Sequence, residues 1–168
     1  NGGLFQSTTK DAKLQNFRLE NSYFEYMNEG KAKLGSVIGT GAGTFDTIYS
    51  NAILVSNGTF AGGLIGYIDG DASHKITNCW FNGKVSSNVQ YIGGLVGAVQ
   101  HGTVEIMDCL HSGEVINTFE RADDTVTFAG GFVGYVGTNT TEVKIAQSLS
   151  AGSVTINAAK GVTKGGTG

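Results

Sequence analysis

The residues able to do chemistry in this chain are few, and their spacing is informative mainly for what it leaves out. Cys79 and Cys109 are the two cysteines, and His74, His101 and His111 the three histidines. A zinc site needs three or four ligands at short spacing. No third or fourth ligand accompanies the cysteines, and no His-x-x-x-His pattern occurs. Asp69-Gly70-Asp71 begins like a calcium loop but lacks the later ligands and the bidentate glutamate. It reads as a solvated turn. No Gly-x-Ser-x-Gly elbow is present, and the glycine phrases recur too often to be a phosphate loop. Glycoside hydrolysis needs two carboxylates flanking the bond. Asp69, Asp71, Asp108, Asp123 and Asp124 fall in turns or in separate repeat positions. No catalytic residue, metal or cofactor is therefore expected.

Binding chemistry has better candidates. A sugar's apolar face stacks on an aromatic ring, and Trp80, Phe81, Tyr67, Tyr91 and Tyr135 could offer one. The competing reading of such rings is core or corner packing. The segment from Thr118 to Thr125 supplies Arg121 for a carboxylate. It also supplies Asp123 and Asp124 for a cation or a sugar hydroxyl. The competing reading there is a plain solvated loop. The candidate ligand-binding residues are thus Trp80, Phe81, Arg121, Asp123 and Asp124. The histidines read as surface or corner residues. Asn57-Gly58-Thr59 and Asn139-Thr140-Thr141 fit the glycosylation sequon, and read as ordinary turns.

What positions these residues is a repeat. Gly62-Gly63-Leu64-Ile65-Gly66 returns as Gly93-Gly94-Leu95-Val96-Gly97 and as Gly130-Gly131-Phe132-Val133-Gly134. Weaker copies begin at Gly35 and Gly2, and Gly165 opens a possible sixth, so the starts lie near 2, 35, 62, 93, 130 and 165. A second phrase follows three of them without gaps, over residues 76–85, 106–115 and 145–154. Within each repeat the alternation is that of strands, as in Thr103-Val104-Glu105-Ile106. The stretch from Lys10 to Lys33 is more charged. Leu14 to Leu19 still alternates, and Asn16 falls where Asn78 and Asp108 fall, so it reads as an atypical coil and not a helix. Spacings of 27 to 37 residues suit one coil of three short strands.

The expectation is an all-β chain, a single β-solenoid domain over residues 1–168 with about five coils. Adjacent coils would lie ~4.8 Å apart. Leu64, Leu95 and Phe132 would form one inward ladder, and Ile76, Ile106 and Ile145 another. Gly62, Gly93 and Gly130 would allow positive φ or close backbone approach at a corner. Cys79 and Cys109 would stack as packed thiols or form a strained disulfide. A threonine ladder of the ice-binding kind is broken by Thr77, Met107 and Ala146.

Composition agrees. The chain has 168 residues, 27 glycines, no proline and 40% hydrophobic residues. That apolar content argues against disorder. A formal net charge of −3 argues against a nucleic-acid partner. No apolar run reaches the ~20 residues of a membrane span. The start at Asn1-Gly2-Gly3 shows no signal peptide and reads as a cut inside a longer parent chain.

The Gly-Leu-x-Gly phrase resembles the GLUG motif, which recurs in tandem in bacterial surface and secreted proteins, including adhesins and some immunoglobulin A-specific metallopeptidases. Leu64-Ile65-Gly66 and Leu95-Val96-Gly97 match it well, and Phe132-Val133-Gly134 and Val37-Ile38-Gly39 match with the leucine replaced. The resemblance covers roughly residues 35 to 157. It implies a right-handed parallel β-helix-like fold and an extracellular location. It does not imply an enzyme, because catalysis in those peptidases belongs to a separate domain whose His-Glu-x-x-His signature is missing here. The expected function is a non-catalytic adhesin segment or structural stalk, with a host glycan or surface protein as partner. The alternative is a carbohydrate-binding or polysaccharide-degrading β-helix protein.

Overall fold

The computed structural model describes residues 2–27, 30–88, 90–118, 127–157 and 165–167. These are strands and turns, with no helix among them. The strands form three sheets, and their pairings are parallel. One sheet stacks Lys33–Gly35, Phe60–Gly62, Tyr91–Gly93, Thr127–Gly130 and Gly165–Thr167. A second stacks Tyr23–Tyr26, Ile53–Ser56, Lys84–Ser87, Glu114–Asn117 and Ser153–Ile156. The third, of eleven strands, contains the long strands Val96–Met107 and Val133–Ala146. Each strand meets its counterpart from the neighbouring repeat. Gly35, Gly62, Gly93 and Gly130 lie opposite one another in sequence order. This pattern is compatible with a β-helix.

The two inward ladders form as the repeat implies. Leu64 N–H donates to Leu95 O at 2.9 Å, and Leu95 N–H to Phe132 O at 3.0 Å. Ile76, Ile106 and Ile145 are in register. Ile76 and Ile106 are fully buried, whereas Ile145 is 46% exposed, because no further strand covers it among the described residues. Leu54, Val85 and Val115 stack likewise in the second sheet. The stretch from Lys10 to Lys33 is extended, with strands Lys13–Leu19 and Tyr23–Tyr26 continuing the same sheets. Gly165 falls opposite Thr127, so the last glycine phrase is out of line with Gly130.

Two corners explain most of the repeat's residue choices. Asn16, Thr47, Asn78, Asp108 and Gln147 all have φ between 51° and 59°. Asn and Asp enter this left-handed region most readily. The residue after each turns inward, and where it can, it locks the bend. Cys79 Sγ donates to Thr77 O at 3.1 Å, Cys109 Sγ to Met107 O at 3.2 Å, and Ser148 Oγ to Ala146 O at 2.8 Å.

The glycine corner works by close approach and not by positive φ, since Gly62, Gly93 and Gly130 lack it. A Cβ on Gly62 would strike Ile65 O and Gly97 N. At the second glycine a backbone carbonyl is again nearest, Gly94 O for Gly63 and Gly131 O for Gly94, and a ring stands beside it. A Cβ on Gly63 would sit 2.5 Å from Phe81 Cδ1, and one on Gly94 2.5 Å from His111 Cδ2. In the Gly63 row the neighbouring repeat holds Ser36, whose Oγ donates to Gly63 O, while Gly131 stays glycine opposite the smaller Ser150.

Candidate ligand-binding face

Trp80–Phe81 is a two-residue strand between Thr44–Ser50 and Leu110–His111. Side chains alternate across a strand, so the two rings part company. Phe81 points inward, is fully buried, and stacks on His111 with centroids 6.4 Å apart and planes 8° from parallel. It is a core residue, which corrects its expected place beside Trp80 in a binding surface. Trp80 points outward and is 39% exposed.

Its column runs Arg18, Tyr49, Trp80, Leu110, Leu149. Tyr49 meets the indole edge-on, with centroids 4.9 Å apart at 68°. Arg18 lies over the Tyr49 ring at 4.3 Å and pairs with Glu20 at 2.7 Å. The indole Nε1 donates to Ser112 Oγ at 2.7 Å, and Ser112 Oγ donates to Asn82 Oδ1 at 3.1 Å. This chain of bonds holds the ring in one orientation.

Ser112 and Asn82 also line an open furrow of about 450 Å³, together with Asn51, Ile53, Lys84 and Glu114; Trp80 adjoins it through the Ser112 bond and is not part of its lining. The corner glycines Gly83 and Gly113 form its floor. Lys84 Nζ and Glu114 Oε2 are 3.4 Å apart, so the furrow's charges are paired. Asn51 Oδ1 already accepts the Asn21 N–H at 2.8 Å. The amide nitrogens of Asn51 and Asn82 face no acceptor among the described residues.

The other aromatic candidates pack on one another. Tyr91 stacks between Phe60 and Phe128, with centroids at 5.1 and 5.5 Å, and touches Tyr135 at 4.5 Å. Tyr67 is buried against Phe60 beneath Lys33, whose Nζ lies 3.7 Å from the ring centroid. Burial, followed by nearby negative charge, pushes the Tyr67 hydroxyl above its ordinary range. Burial also lowers Lys33. Arg121, Asp123 and Asp124 lie outside the described residues.

The histidines differ from expectation. His74 is buried, with Nδ1 accepting the Gly43 N–H at 3.2 Å and Nε2 donating to Gly70 O at 3.1 Å. His111 is buried too. Its Nδ1 meets Ser150 Oγ at 3.1 Å, while Nε2 has no partner among the described residues. Burial lowers its pKa from the ordinary 6.5. Only His101 lies at the surface, its Nδ1 2.7 Å from Asp69 Oδ1. A catalytic triad would place a nucleophile at the other ring nitrogen. The Asn139 amide occupies that place at 3.3 Å.

Cys79 and Cys109 are buried free thiols in one column. Their mutual contact, reinforced by burial, pushes the Cys79 thiol far above its ordinary value. No cluster of three or more His, Cys, Asp or Glu able to hold a metal occurs among the described residues. No described helix is long and apolar enough to cross a membrane.

Sequence reasoning singled out Trp80 but missed Tyr49, Asn82, Ser112, Lys84 and Glu114. The signal was present. Residues 46–51 are a third relative of residues 77–82, and aligning them puts Tyr49 under Trp80. Comparison with family models, with curated proteins and with solved structures gives no match to this chain.

Proposed function

We propose that the chain is a non-catalytic β-solenoid module of about five coils, right-handed as its GLUG-like phrases imply, from a bacterial surface or secreted protein. Its work is that of an adhesin segment or stalk: a stiff repeat that presents side chains in fixed rows to a host glycan or surface protein. The observation that supports this reading is the parallel stacking of successive repeats, strand on matching strand, with register shifts only around Val99/His101 and Gly102/Thr103 in the longest pairing. Such stacking makes extended faces from nearest-neighbour contacts alone. The outward rows in turn bear paired charges, as in Lys75 and Lys144 on either side of Glu105 at 3.6 Å.

The test is incubation with neutral and acidic polysaccharides and with mucin, scored for new reducing ends and for unsaturated products. The expected result is no turnover with any of them. Turnover abolished by Asp69→Asn would sink the non-catalytic reading. It would favour the degrading alternative, for which the supporting observation is Asp69, which pairs with His101 and lines a furrow of about 380 Å³ with Gly70, Asp71 and Ala72.

A further inference from the structure

We infer that the furrow beside Trp80 is a subsite for a neutral saccharide, with one sugar ring lying against the exposed indole. This deepens the reading above and rests on it only in treating the chain as one that binds and does not cut.

Three observations converge. The first is the ring itself. A partly exposed indole keeps apolar surface in water, and a sugar's C–H face can cover it. The Ser112 bond has already fixed the ring, so binding costs little side-chain ordering. The second is the polar complement. A furrow of about 450 Å³ is within the usual size of small-ligand sites, roughly 300–1,000 Å³. Asn51 and Asn82 stand one coil apart along it, ~4.8 Å by strand spacing, each with an amide N–H₂ left to donate. Adjacent coils thus offer donors at about the length of one sugar ring in an extended chain, and vicinal hydroxyls can accept from both.

The third observation is charge. Lys84 is matched by Glu114 and Arg18 by Glu20. The furrow therefore has no net charge to attract an acidic or a basic ligand, which favours an uncharged hydroxylated one. The Tyr91 cluster is the weaker candidate, because its rings stack face to face and shield one another.

Trp80 is the only tryptophan, so its fluorescence reads this site alone. The whole chain is titrated with gluco-, manno-, xylo- and galacto-oligosaccharides and with desialylated mucin glycans. Polygalacturonate and sialylated mucin serve as the charged arm. A saturable blue shift with at least one neutral saccharide is expected. By calorimetry, Trp80→Ala should weaken that binding roughly tenfold or more, the loss of one anchoring aromatic. Trp80→Phe should retain part of it, Asn82→Ala should weaken it about threefold, and Tyr91→Ala should leave it unchanged. Circular dichroism confirms that each variant is folded. No shift with any neutral saccharide, a shift with the charged arm alone, or binding that survives Trp80→Ala overturns the inference. Silence without cleavage overturns only this site. Cleavage overturns the non-catalytic reading and leaves Trp80 binding to be judged by its own variants. The plant-type and mucin-derived arms distinguish the source of the sugar.

Discussion

His111 holds a polar atom that its surroundings do not satisfy. Its ring belongs to the row Ser50, Phe81, His111, Ser150 and lies almost parallel to Phe81. Replacing it with phenylalanine keeps the flat ring and removes the orphaned Nε2. A buried unsatisfied group costs about 1–3 kcal/mol, and Ser150 is exposed enough to bond water instead. His111→Phe should therefore stabilise the fold by about 1 kcal/mol at pH 8. The pH dependence has a definite sign. Burial lowers the folded-state pKa below 6.5, so the unfolded chain binds the proton more readily. The contribution from neutral His111 is complete above pH 6.5. It declines as the pH falls from 6.5 toward the depressed folded value. Urea unfolding at pH 8 and pH 5 should show the advantage of the variant growing at the lower pH. A constant difference would mean that the imidazole is not shielded as the structure has it.

The glycine phrase and the phrase that follows it are two halves of one corner. A Cβ on Gly63 would meet both the Gly94 carbonyl and the Phe81 ring, and one on Gly94 both the Gly131 carbonyl and the His111 ring. In the neighbouring repeat the Gly63 row holds Ser36 and the Phe81 row holds Ser50. Gly63→Ser should destabilise the fold by about 1–3 kcal/mol through overpacking. Phe81→Ser alone leaves a cavity and costs about 3–5 kcal/mol. The double variant removes the ring that a side chain at residue 63 would strike, though not the Gly94 carbonyl, so its cost should fall short of the sum by about 1 kcal/mol, the coupling expected of residues in contact. A double-mutant cycle by denaturant unfolding measures it, and strict additivity would refute the pairing. The repeat was legible at this scale because a glycine that recurs at a fixed place is visible in a string of letters. Its partner, 18 residues on, was not. Nothing in Trp80-Phe81 says which ring turns inward until the left-handed residue at Asn78 sets the phase of the strand. That one missing phase put Phe81 on the surface and His111 at a surface or corner position.

At the scale of the whole chain, parallel stacking of repeats makes register follow from spacing. That is why sheet class, ladders and the threonine break at Met107 could be read in advance. The furrow could not, because it is built from residues of three repeats that only meet once the repeats stack. The same geometry makes the layers unequal. Ile106 lies between Ile76 and Ile145, whereas Ile145 has Ile106 on one side and solvent on the other. In a quasi-one-dimensional stack each layer's stability comes from its neighbours, so the same residue in the same row has a different worth at each height. Ile106→Ala should cost about 2–5 kcal/mol, the usual range for a buried isoleucine. Ile145→Ala should cost about 1 kcal/mol, since close to half of that residue's surface stays wet in the folded state. Urea unfolding of the two variants side by side makes the comparison, with a matched slope as the check that both unfold the same stack. If the two substitutions cost the same, Ile145 is covered in solution by something beyond its described neighbours, and the row continues past the height at which it now stops.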